Sequence, residues 1–178
     1  MTTQIALFRG INVGKAKRVA MADLKTMFEG LGFANVRTLL NSGNVVFESG
    51  KSAAAANAKR IAAVLRERMG VDANTLVLTA KDLDAAIADN PFAARIDNPS
   101  RFLVGFFMTG ADPKPLDTLR REFPNEDFAV GARACYLWCP NGISESRLAE
   151  TLIGAKHRER VTTRNWATVL KLRELAST

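Results

Sequence analysis

Two short segments hold most of the residues suited to chemistry. Arg9-Gly10-Ile11-Asn12-Val13-Gly14 sets a guanidinium and an amide among glycines, and Asn41-Ser42-Gly43-Asn44 supplies two more amides and a hydroxyl. Glycine lets backbone N–H groups approach a ligand closely, and a helix beginning near Val19 would add the partial positive charge of its N-terminus. Arg9, Lys15 and Lys17 add full charges. Such a set suits a phosphate or carboxylate. It is neither a Walker loop nor a Gly-x-Gly-x-x-Gly dinucleotide fingerprint. A third candidate, Arg164-Asn165, stands where the last helix is expected to start, and an Arg fork beside free helix N–H groups suits the same anions.

Other chemistries find less support. The one histidine, His157, lies in Lys156-His-Arg-Glu-Arg160 and reads as a surface residue among cations. Cys135 and Cys139 sit in one expected strand, with Cα atoms about 13 Å apart, which excludes a disulfide and reads as two packing thiols. One histidine and two separated thiols build no zinc site, and no metal or other cofactor is expected. Ser42 has no base at recognisable spacing, so it reads as a hydrogen-bond donor. Asp23 and Glu48 are the candidate bases if the chain is a small-molecule enzyme of unknown reaction, but no pair of acids stands out.

The chain has 178 residues with 25 Lys and Arg against 18 Asp and Glu, a net charge of +7. Residues 9–18 carry four cations and no acid, and residues 156–164 carry four against Glu159. Outside them 17 basic residues balance 17 acidic ones, so the excess is local. A local excess fits an anion site better than a polycation that coats nucleic acid. The longest apolar run, residues 102–108, is far short of the ~20 needed to span a bilayer. With no leader recognisable at the start, the expectation is a cytoplasmic protein with no membrane partner.

The elements that must position these residues follow from periodicity. A strand at 4–8 precedes the first loop. A helix from about Ala20 has Met21, Leu24, Phe28 and Leu31 on one face. Strands at 36–40 and 45–48 flank the 41–44 turn, where Asn and Gly tolerate positive φ. A helix at 53–69 and a strand at 74–78 complete βαββαβ, the ferredoxin-like order. A short helix at 81–88 then leads to a loop with two Asn-Pro pairs, placing a boundary between a 1–90 half and a 91–178 half; two separate domains and one compact unit both fit this division. The second half reads as βαββα: a strand at 101–108, a helix at 115–122, a hairpin of 127–130 and 133–138, and a helix at 145–153. Its last strand is missing, and Thr163 is expected to cap a C-terminal helix. The expected fold is α+β, two ferredoxin-like halves with the second incomplete. The first and third strands of that fold are neighbours, so the 9–14 loop should lie beside the 41–44 turn.

These motifs carry a resemblance. Arg9-Gly-Ile-Asn-Val-Gly14, Ser42-Gly-Asn-Val-Val-Phe47, Asn90-Pro-Phe92 and Thr163-Arg-Asn-Trp166 are similar to the successive signatures of bacterial domain-of-unknown-function family 1697, which often has Gly where this chain has Lys15. The resemblance implies a cytoplasmic α+β protein with ferredoxin-like parts and brings no activity. The leading reading is a module that binds a small anionic ligand through Arg9, Gly10, Asn12, Gly14, Ser42, Gly43 and Asn44, with Arg164 and Asn165 as further candidates. A nucleic-acid module is the alternative, since ferredoxin-like sheets stack bases on aromatics of the first and third strands, here Phe8 and Phe47.

Overall fold

A computed structural model of the chain describes residues 1–14 and 18–178; Lys15 and Lys17 lie outside the described residues. The chain divides into two compact units, Met1–Leu83 with Leu172–Thr178, and Asp84–Lys171. The first holds 13 Lys and Arg against 7 Asp and Glu, and the second 12 against 11, so nearly all the net charge belongs to the first.

In the first unit, β1 (Thr2–Arg9), β2 (Ala34–Leu39), β3 (Asn44–Ser49) and β4 (Asn74–Thr79) form an antiparallel sheet in the order β2-β3-β1-β4. The central pairing sets Leu7 opposite Asn44 and Ile5 opposite Val46. Helices α1 (Met21–Gly30) and α2 (Ala54–Met69) bury Leu24, Met27 and Phe28, and Ala58, Ile61 and Leu65, on the sheet face carrying Ala6, Phe8, Val45 and Phe47. These are the apolar rows that helical periodicity and strand alternation require. Phe28 meets Phe47 with ring centroids 5.1 Å apart at 70°. Phe8 and Phe47 are therefore core residues, and the base-stacking platform considered from the sequence is absent.

The second unit repeats the plan. It contains β5 (Phe102–Phe107), β6 (Asp127–Val130), β7 (Ala134–Trp138) and β8 (Val161–Asn165) in the order β6-β7-β5-β8. Helices α4 (Asp117–Glu122) and α5 (Arg147–Ile153) bury Leu119, Leu148 and Leu152 in its core; α3 (Ala80–Ala88) and α6 (Trp166–Ser177) complete the chain. Two ferredoxin-like halves are thus present, with one correction: the second is complete. The β-branched run Val161-Thr162-Thr163 pairs with β5 from Phe107 to Gly105. It runs into α6 with no intervening loop, and that continuity makes the strand read as a helix start. The cap of α6 is Asn165, whose Oδ1 accepts from the N–H of Thr168 at 2.9 Å.

His157 is a second correction, only 1% exposed. It ends the single turn Ala155–His157, whose neighbours Lys156 and Arg158 are exposed while the imidazole turns inward. Its charged neighbours in sequence point the other way from its own side chain.

Candidate functional site

The expected meeting of loop and turn is present, and it is built mainly by side chains expected to hold a ligand. Phe8 N–H donates to the Gly43 carbonyl at 2.9 Å, extending the β1–β3 ladder into the turn. Asn12, at φ +56, uses the left-handed conformation that asparagine tolerates. Its Nδ2 donates to the carbonyls of Asn41 at 2.9 Å and Val19 at 2.8 Å, and its Oδ1 accepts from Val19 N–H at 2.7 Å. One amide thus ties the loop to the turn and to the chain entering α1. Asn44 is fully buried; its Nδ2 donates to the Leu39 carbonyl at 2.8 Å and to Ser42 Oγ at 3.0 Å. Asn12, Ser42 and Asn44 therefore have structural work in the turn and loop.

Gly43, at φ +83, lies under Ile11, itself 1% exposed. Gly10 and Gly14 also have positive φ, with open space around the position of an added Cβ. Arg9 ends β1, half-buried.

Beside this junction an open hollow of about 440 Å³ is lined by Asn12, Arg18, Val19, Ala20, Asp23 and Asn41. Ala20 occupies the N-cap of α1 and offers no side-chain acceptor, so the positive end of that helix is left to solvent or to a ligand. Arg18 is exposed and brings a full charge, while Asp23 in the first turn of α1 opposes it. Of the residues singled out for the site, Asn12 lines this hollow, together with Asn41 of the expected turn. Arg18 and Ala20 are the additions, and the signal for Arg18 is its place as the last cation before the helix. Asp23 is the one acid among the described residues of this lining.

Arg164 and Asn165 belong to the second unit, at the end of β8. Arg164 Nη1 donates to the Thr163 carbonyl at 2.7 Å and to Thr162 Oγ1 at 3.3 Å. Burial lowers its pKa to about 10, so it remains a cation at neutral pH. Asn165 satisfies the N-terminus of α6 that it was expected to leave open to a ligand.

A second hollow, about 260 Å³, includes Glu126, Asp127, Trp138, Cys139, Glu145 and Ser146 in its lining. Burial pushes the Cys139 thiol up to about 11, which removes it as a nucleophile at neutral pH. Ser146 Oγ is engaged, accepting from Ala149 N–H at 3.0 Å and bonding to Glu126. Asp127 holds Arg95 at 2.8 Å.

The family model for DUF1697, a protein of unknown function, matches residues 1–136. The chain belongs to this family. The match covers all of the first loop, the turn and the hollow of this DUF1697 protein. No curated protein matches the chain. Among solved structures, the conserved bacterial protein SP0830 from Streptococcus pneumoniae is similar, with a TM-score of 0.78 and 22% identity over 98% of each chain. At that identity the likeness speaks for the fold alone.

Proposed function

We propose that this DUF1697 protein binds a small anionic ligand, bearing a phosphate or carboxylate, at the hollow beside the N-terminus of α1. The observation that carries the reading is the uncapped helix start opening on a hollow with Arg18 at its wall. Asn12 holds that wall in place, tying loop, turn and helix entry together, and the surrounding unit carries nearly all the chain's net charge. The ligand's charge would meet first-turn N–H groups and one guanidinium, the combination that recognises anions without a dedicated phosphate loop.

Thermal unfolding with inorganic phosphate, a nucleoside monophosphate and a dicarboxylate tests this. A ligand at about a hundred times its Kd adds about 2.7 kcal/mol, a shift of several degrees. Arg18→Ala should abolish the shift. Asp23→Asn should tighten binding by about two- to fivefold, since an opposing charge leaves the first turn. The reading fails if none of the three anions raises the melting temperature, or if Arg18→Ala responds as wild type does.

A further inference from the structure

Glu48, weighed from the sequence as a base, lines a different hollow of the first unit. This one, open and about 480 Å³, is walled by Lys25 and Glu29 of α1, Asn35 and Arg37 of β2, Glu48 of β3 and Thr178. Room of this size takes a small organic molecule. The pairing of β2 with β3 explains how Arg37 reaches it. Ala34 stands opposite Glu48 and Arg37 opposite Val46, so three steps along β2 match two along β3. Plain alternation from Ala34 would turn Arg37 to the face packed by the helices. The extra residue of this bulge, with Asn35 at φ +48, turns it to the side of Glu48 instead, and Val36 takes the place in the core.

The two charges that the bulge brings to one side do not neutralise each other. Arg37 Nη1 donates to Thr178 Oγ1, a hydroxyl that itself donates to the Leu175 carbonyl at 3.0 Å. Arg37 Nε is buried and meets no acceptor among the described residues. Glu48 is half-buried, and among the described residues its carboxylate takes part in no hydrogen bond or ion pair. Both side chains are long enough to meet, and a guanidinium and a carboxylate taken partly out of water are costly to hold apart. Lys25 and Glu29 add one charge of each sign and stand 3.9 Å apart, about half exposed, a pair that contributes little. The wall is therefore neutral as a whole and favours neither a bare anion nor a bare cation. A molecule carrying both charges a few bonds apart answers both side chains.

We propose that this hollow binds a free α-amino acid, its carboxylate on the Arg37 fork and its ammonium on Glu48. A planar guanidinium grips a carboxylate through two parallel hydrogen bonds, and the Glu48 carboxylate accepts from the ammonium. The site shares no lining residue with the anion hollow beside α1 and stands independently of it.

Thermal unfolding of the full chain with each protein amino acid at about 10 mM tests it, with acetate, methylamine and their mixture as controls that carry the same charges unjoined. At least one amino acid should raise the melting temperature where the controls do not. Glu48→Gln, nearly the same shape, should weaken that amino acid about tenfold by calorimetric titration. Arg37→Lys, which keeps the charge and loses the fork, should weaken it similarly and carries the test if Glu48→Gln does not fold. Both variants should keep the response to inorganic phosphate, and Arg18→Ala should keep the response to the amino acid. The inference is overturned if no amino acid stabilises the chain, if the unjoined mixture does so equally, if both folded variants bind as wild type does, or if Arg18→Ala is the change that abolishes binding.

Discussion

Replacing Gly43 by alanine should break the seam between loop and turn. A Cβ there would stand 2.5 Å from Ile11 Cδ1, 2.8 Å from Ile11 Cγ1 and 3.0 Å from Phe8 Cβ. Ile11 is packed at 1% exposed, so its terminal methyl turns aside only by leaving its rotamer, at about 1 kcal/mol. Ile11 Cγ1 and Phe8 Cβ move only with more of their residues, and both residues are 1% exposed. The backbone adds a separate cost, because φ is +83 and a residue with a Cβ loses about 1–2 kcal/mol there. Overpacking contributes a further 1–3 kcal/mol or so, for a total of about 3 kcal/mol, measurable by urea unfolding. Ile11→Val removes the nearest atom, so in that background the alanine should cost about 1 kcal/mol less, a coupling read from a double-mutant cycle. A cost below about 1 kcal/mol, or one that Ile11→Val leaves unchanged, would refute the idea that Ile11 pins the turn.

Asn57 in α2 donates to Gln4 Oε1 at 2.8 Å and to Ser49 Oγ at 2.9 Å, wholly buried. Asn57→Ala leaves both acceptors short of a donor and should cost about 2–3 kcal/mol in urea unfolding. Burial pushes the thiols of Cys135 and Cys139 up to about 12 and 11, and the Tyr136 hydroxyl, buried and donating to the Ala86 carbonyl at 2.6 Å, up to about 12. All three ionise more readily unfolded than folded, so their contribution is intact below pH ~8.5, where an unfolded thiol titrates. It is lost as pH rises toward the folded values. Melting temperatures should therefore fall steadily from pH 9 to 11, and a flat profile would contradict these burials.

Periodicity alone reveals much of the framework. The α1 row of Leu24 and Phe28, the Asn-Gly turn, and the order of elements in the first unit are all readable because local pattern and final packing agree there. The meeting of the 9–14 loop with the turn follows from strand adjacency. What each residue does at that meeting is hidden, because it depends on partners distant in sequence. Asn12 and Asn44 look like ligand-binding amides until their acceptors, Asn41 and Leu39, are placed. Phe8 and Phe47 share a face by alternation, but only the position of Phe28 decides that this face is the core. Strand β8 escapes notice because no turn residue separates it from α6, and His157 because a single turn of helix has no period to read.

The hydrogen bond from Asn12 to Asn41 joins positions 29 residues apart, and it forms only after β1 has found β3. The hollow therefore has its walls only once β1 and β3 are in register. If the proposed anion binds these walls and not the unpaired strands, it should slow unfolding and leave the refolding rate nearly unchanged.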